Sequence, residues 1–329
     1  MSSEEAQPTL KIAIGTYGHT QALKQGRIGI EGVDAEFVEI EPIISAFRRM
    51  VRDLEFDVCE MAPATYMIAR AAGAPFKALP VFVLRRFHHA GFVVREDAGI
   101  HMPKDLEGKR AGVRAYSVTT GIWTRGILAD DYGVDLSNIE WVVDDEEHVS
   151  SLRLPPNVRP APAGRSLMDL MAEGYLSAAF TDNAGIGRAG APIEGWRQGT
   201  CNGGASYREL FADAADLEAQ WFGKTGIYPI HSLVVVKDAV LDAHPWIGRA
   251  LFGAFAAAKQ HYLDRLAAGE NVSAKDDHYR SMALIVGDPL PYGLGPNLPA
   301  IEALIDYCHR QGLLARRCEV AELFIDPTT

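Results

Sequence analysis

The sequence predicts an α/β protein of two domains, each a mixed, mostly parallel sheet flanked by helices. Three observations predict this. At 329 residues the chain has room for about two domains. Strand-like and helix-like segments alternate from residue 10 onward, the pattern that yields a mostly parallel sheet covered on both faces. A second round of alternation begins near residue 100, and long helical patterns take over after about residue 230.

The elements follow in order. LKIAIG at 10–15 is an apolar run closed by glycine and reads as the first strand. Residues 20–32 are polar, with room for a short helix, and 33–39 alternate apolar and polar as a second strand. Ile43, Ile44, Phe47, Val51 and Leu54 recur at helical spacing. FDVC at 56–59 is a short third strand, and 64–72 form a helix stopped by Gly73 with Pro75 beyond it. Residues 77–84 and 90–95 are strand-like. In the second round, 105–113 are a turn feeding a strand, and YSVTT at 116–120 opens a helix with Trp123 and Ile127 on one face. A strand at 139–143 precedes a loop at 152–165, rich in Pro and Arg. A helix at 166–173 and a strand at 177–182 follow. Leu233 to Val236 is a strand. It leads to one helical stripe through Ile247, Leu251, Phe255 and Tyr262, and another through Ile301, Leu304, Ile305 and Cys308, with Gly312 as C-cap.

Composition narrows the function. With 32 basic against 43 acidic residues the net charge is −11, which disfavours a nucleic-acid partner. No apolar stretch approaches the roughly 20 residues needed to span a bilayer, so no membrane partner is expected. Cys59, Cys201, Cys308 and Cys318 show neither a C-x-x-C pair nor zinc-ligand spacing, and reduced thiols are expected. The opening MSSEEAQPT is polar and acidic, without a basic segment followed by an apolar one, and a cytoplasmic location is expected.

Five segments in this order carry a more specific likeness: LKIAIG at 10–15, FDVCEM at 56–61, LPVFVLRRFHH at 79–89, DLEGKRAGVR at 105–114 with YSVTT at 116–120, and GIYPIH at 226–231. Together they resemble the 4,5-dihydroxyphthalate decarboxylase family, on the periplasmic-binding-protein type II fold. The resemblance covers essentially the whole chain. It implies one lobe from 1–90 and 231–329, a second from 91–230, crossovers near 87–95 and 227–233, and a ligand cleft between the lobes. It implies loss of CO2 from a hydroxylated aromatic dicarboxylate, 4,5-dihydroxyphthalate giving protocatechuate. The alternative is a solute-binding protein that captures a small anionic aromatic ligand without chemistry. Self-association is left open.

Such a reaction protonates the ring carbon that bears the departing carboxylate, helped by a hydroxyl para to it. The site therefore needs cations or N–H groups for the carboxylates, a base for the phenol and an acid near the ring. Arg85 and Arg86 supply forks that match carboxylates, and His88 and His89 titrate near neutral pH. The rival reading of this cluster is a solvated basic turn. Glu60, at the end of the third strand, suits a phenolic proton or caps the next helix, and His19 is a further proton-transfer candidate. Tyr116, Ser117, Thr119 and Thr120 precede a helix and suit a carboxylate, although simple capping accounts for one hydroxyl. Asp182 ends a strand, and His231 lies at the return crossover, where a structural role competes. A divalent ion held among His19, Glu60, His88, His89, Asp182 and His231 is chemically conceivable. No local ligand spacing supports one, so no metal or other cofactor is expected.

Overall fold

A computed structural model describes residues 7–187, 206–270 and 273–327. Twelve strands run through the described residues in chain order: β1 (Thr9–Ala13), β2 (Asp34–Phe37), β3 (Val58–Met61), β4 (Phe76–Arg85), β5 (Phe92–Arg95), β6 (Arg110–Gly112), β7 (Glu140–Val143), β8 (Val158–Pro160), β9 (Ala178–Asp182), β10 (Ile186–Gly187), β11 (Tyr207–Glu209) and β12 (Ile230–Lys237). They divide between two compact units. The first draws on Met1–Arg86, Ile230–Glu302 and Cys318–Thr329, and the second on Phe87–Pro229 and Ala303–Arg317. The sequence reading had left 303–317 in the first lobe. In the second unit the Tyr307 ring packs edge-on to Trp123 with centroids 5.6 Å apart, and Arg310 forks onto Asp130 at 2.7 and 2.9 Å. Gly126 makes this approach close: a Cβ there would lie 2.2 Å from ring carbons of Tyr307.

The first unit holds a mixed sheet in the order β2-β1-β3-β12-β4, with β1 parallel to β2 and β3, and β12 antiparallel to β3 and β4. Its central strands are covered on both faces, which is why they read as apolar runs. Leu10, Ile12, Val58, Val81, Val83 and Val234 belong to one core cluster. The helix Ile247–Ala267 packs Ile247, Leu251, Phe255 and Ala258 into that cluster and keeps Tyr262 and Leu266 buried further along the same stripe. Each large apolar side chain so buried is worth about 1.5–3 kcal/mol of transfer free energy.

The second unit's sheet runs β11-β5-β9-β6-β7-β8, with β10 beside β9. The pairs among β6, β7, β8 and β9 are parallel, while β5 is antiparallel to β9 and β11. Val142, Leu167, Leu170, Met171 and Leu176 form its core beside the sheet.

Three departures from the sequence reading have local causes. The span 152–165 is not loop throughout, because β8 pairs with β7 inside it. Two helices carry too little apolar periodicity to be read: Ala214–Thr225 buries Trp221, and Ala274–Val286 buries Asp276 and Tyr279. The second is nucleated by a capping box in which the Ser273 hydroxyl accepts from the Asp276 N–H. Cys59, Cys308 and Cys318 are buried thiols outside any disulfide, whereas Cys201 lies outside the described residues, as does most of the N-terminal segment used for the location. No helix among the described residues is long and apolar enough to cross a membrane.

Candidate active site

Register brings the first pieces of the site together. β1 pairs with β3 through Ile12 opposite Val58 and Ala13 opposite Cys59, so the turn after β1 arrives beside Glu60. The Glu60 carboxylate is fully buried and accepts from the Gly15 N–H at 2.8 Å, the Tyr17 hydroxyl at 2.8 Å and the Ser232 hydroxyl of β12. Burial pushes the Glu60 pKa up, against the pull of these donors and of the Lys24 charge. The Tyr17 phenol is pushed well above its ordinary value by burial and by the adjoining carboxylate, so it keeps its proton and donates it to Glu60.

The glycines on either side of Tyr17 leave room for rings. A Cβ at Gly15 would lie 2.5 Å from the Tyr17 hydroxyl, and one at Gly18 would lie 2.2 Å from the Tyr262 ring. Any side chain at either position would displace a tyrosine. Lys24 braces the turn from the other side, donating to the Ile14 carbonyl at 3.1 Å and the Thr16 hydroxyl at 2.6 Å.

Tyr17 is also wall to a cavity of about 600 Å³ within the first unit, inside the usual size range for small-molecule sites. Tyr262 and Tyr279 add aromatic surface, and Arg27, Arg85, Arg86, Arg265 and Lys275 add positive charge. The carboxylate in this wall, Asp276, is engaged by the Tyr262 hydroxyl and by Ser273. Arg265 is partly neutralised by Glu270 at 3.0 Å. The imidazoles of His261 and His278 complete the wall. Such a lining suits a flat anion: faces for a ring, and forks for its carboxylates.

Arg85 and Arg86 end up in different settings. Arg85 is buried, its guanidinium bonded to the Asn297 side-chain oxygen and lying 5.2 Å over the Phe82 ring. Asn297 in turn donates to the carbonyls of Pro291 and Gly293 at 2.9 and 2.7 Å, fixing that loop. Arg86 is exposed in the cavity wall. Burial holds the neighbouring His231 well below its ordinary pKa, and the Arg86 charge adds to this, so His231 is neutral near pH 7.

The remaining site residues expected from the sequence are not gathered in this wall. His19 is fully buried behind it, its ring 5.4 Å from Tyr17 and 6.0 Å from both Tyr262 and Tyr279. Its Nε2–H donates to the Val83 carbonyl at 3.0 Å, and burial lowers its pKa to about 4. His88 and His89, expected as proton carriers, belong to the second unit and pack in its interior. The His88 ring stacks on Trp123, and that of His89 meets Phe211 and Trp221 edge-on, where burial lowers its pKa to about 4. Adjacent residues of an extended segment point to opposite sides, and here the fold divides the run between two cores.

Tyr116, Ser117, Thr119, Thr120 and Asp182 also belong to the second unit. Tyr116, Ser117, Thr119 and Thr120 are buried, and the N–H groups of Tyr116 and Ser117 and the Ser117 hydroxyl meet the side chain of Glu147. Asp182 is exposed in a left-handed turn, φ 53°. The six residues weighed as metal ligands are thus shared between the units, and no cluster of three or more His, Cys, Asp or Glu side chains suited to a metal occurs among the described residues.

Sequence reasoning missed Tyr17, Arg27, Ser232, Arg265, Lys275 and Tyr279 as functional side chains. Tyr262, expected in the core, is buried there and also lines the cavity.

Comparison with known proteins adds four findings. Residues 30–152 match a family model described as NMT1/THI5 like. The chain is 33% identical to the 4,5-dihydroxyphthalate decarboxylase of Comamonas testosteroni over 330 aligned residues, covering 96% of each protein. Among solved structures it is similar to the periplasmic aliphatic sulphonate binding protein SsuA of Escherichia coli, with a TM-score of 0.54 at 14% identity over 96% of this chain and 97% of that one. It is also similar to a Candida albicans protein with the generic periplasmic binding protein fold, with a TM-score of 0.53 at 16% identity over 97% and 96%. These two structural likenesses establish the periplasmic-binding-protein type of fold.

Proposed function

The chain belongs to the 4,5-dihydroxyphthalate decarboxylase family, and on that premise we propose that it converts 4,5-dihydroxyphthalate to protocatechuate and CO2 at the cavity of the first unit. The observation that carries this placement is the pairing of a cationic, ring-lined cavity with a tyrosine hydroxyl that is itself bonded to a buried carboxylate. Pure anion capture needs the cations but has no use for the second feature.

In this reading Arg86 and its neighbouring cations grip the carboxylates, and the tyrosine rings hold the aromatic plane. Tyr17 takes the proton of the substrate hydroxyl para to the reacting carbon while passing its own to Glu60, whose raised pKa suits it to accept. Electron density then moves to the ring carbon, which accepts a proton from a wall imidazole, His261 or His278. The bond to the carboxylate breaks, CO2 leaves, the ring rearomatises, and Glu60 returns the phenolic proton through Tyr17. One proton is consumed per CO2 released, as the stoichiometry requires. A cytoplasmic site of action is part of the proposal and is read by cell fractionation.

The test is to incubate the purified protein with 4,5-dihydroxyphthalate and follow CO2 and protocatechuate in equal amounts. Tight binding without either product, at high protein concentration, would replace this reading with that of a solute-binding protein.

A further inference from the structure

One hydroxyl in the cavity wall takes no part in the relay of Tyr17 and Glu60. Thr16 precedes Tyr17 in the chain, is exposed, and lines the same cavity. Its oxygen accepts from the Lys24 ammonium at 2.6 Å. The Lys24 side chain is only 5% exposed. Its ammonium also donates to the Ile14 carbonyl at 3.1 Å and to the Glu39 carboxylate at 2.8 Å. Its three donors thus meet three acceptors, which hold the amine in one place behind the turn.

The chemistry of the pair fixes its direction. An ammonium only donates, so Thr16 spends an oxygen lone pair on Lys24 and its own proton lies along another bond. Among the described residues that proton meets no acceptor. A hydroxyl whose oxygen accepts from a cation is also the stronger donor. Adjacent residues of the wall therefore carry two hydroxyls of opposite character. That of Tyr17 is backed by a carboxylate and can take a proton from a ligand. That of Thr16 is backed by an ammonium and can only give a hydrogen bond. A catechol has two neighbouring oxygens, and the reaction deprotonates one of them.

We infer that Thr16, oriented by Lys24, is a specificity-determining residue that binds the second ring hydroxyl, the one meta to the carbon that loses CO2. This rests on the reading of the cavity as the site of a hydroxylated aromatic acid, but not on turnover. A hydrogen bond from Thr16 leaves the second hydroxyl free to donate to the neighbouring ring oxygen. Negative charge gathers on that oxygen once Tyr17 has taken its proton. A ligand whose one hydroxyl faces Tyr17 lacks both contacts.

The experiment is isothermal titration of the full chain with two ligands that lack the departing carboxylate. Protocatechuate keeps both hydroxyls, and 3-hydroxybenzoate lacks the one assigned to Thr16. The wild type is expected to bind protocatechuate about tenfold more tightly, the scale of one well-made hydrogen bond. Thr16→Val is expected to bring the two ligands within about twofold of each other, and Thr16→Ser to keep most of the preference. Lys24→Met leaves the Thr16 proton without a fixed direction and is expected to fall between, at about threefold. A preference as large in T16V as in the wild type, at a similar melting temperature, overturns the proposal. So does a wild type that binds both ligands equally or neither. A full preference in K24M overturns the orienting role of Lys24. If T16V does not fold, Thr16→Ala reads the same ratio, and if K24M does not fold, the Thr16 variants decide alone. Failure of the decarboxylase reading shows separately, as silence in the CO2 assay with the ligand preferences unaffected.

Discussion

Each unit buries a glutamate among the same kinds of donor, and the two differ in what carries them. Glu60 stands on β3, in the middle of a sheet, with Val234 of β12 opposite it in register, and its donors come from a glycine turn, a tyrosine and a neighbouring strand. Glu147 stands on a stretch without regular structure, held by two amides and one hydroxyl. In both, burial is the largest cause of a raised pKa. Similar local chemistry thus rests on two kinds of support: a strand fixes the position of Glu60, whereas Glu147 is carried by a stretch without regular structure.

The largest effect that would break this comparison is on turnover. Glu60→Gln keeps the shape but removes the proton acceptor, and kcat is expected to fall about 100-fold or more while KM changes by less than about threefold. Steady-state kinetics with 4,5-dihydroxyphthalate read this, and Tyr17→Phe should match it, with the double variant no worse than either single one. Independent, multiplying losses would mean that the two groups do not act as one relay.

A second effect compares the units through their buried imidazoles. His19 in the first and His89 in the second are both held down to about 4 by burial. Because the folded value lies below the ordinary 6.5, each ring contributes full stability above that pH, and the contribution is lost as pH falls from 6.5 toward 4. For His19 the loss amounts to about 3 kcal/mol at most. Urea titrations from pH 7 to 4 should show a flatter decline for His19→Gln, which keeps a donor for the Val83 carbonyl. An unchanged slope would show that this ring does not become charged on unfolding.

Smaller effects sharpen the role of the wall. Arg86→Ala is expected to raise KM about tenfold with little change in kcat, since one charge-assisted contact is worth about 1.5–3 kcal/mol. Ser232→Ala removes one of three donors to Glu60 and is expected to lower kcat only a few-fold, by roughly the 0.5–1.5 kcal/mol of one hydrogen bond. A large loss from S232A would instead assign that hydroxyl a direct part in proton transfer.

Much of the fold was legible because its signals are local. The apolar runs of β1 and β3 and the stripe from Ile247 to Leu266 announce buried strands and a core-facing helix whatever lies around them. The helices Ala214–Thr225 and Ala274–Val286 were not legible, since each buries only one or two side chains. In the site, Glu60 stood out by its position at the end of a strand. The cavity's other wall comes from Tyr262, Arg265, Lys275 and Tyr279, more than 200 residues away in sequence, where nothing local marks a charged or aromatic residue as facing a ligand.

By itself the sequence determined the α/β class, the alternation of elements, the acidic balance that disfavours nucleic acid, and the family likeness that named the reaction. Only the tertiary structure decided which ionisable groups share a wall. It left Arg86 exposed in the cavity wall, bound the buried Arg85 guanidinium to Asn297, packed His88 and His89 into the other unit's interior, and set Glu60 behind Tyr17. The reason is physical: periodicity depends on neighbours a few residues apart, whereas a side chain's surroundings, and with them its charge state, depend on segments that only folding brings into contact.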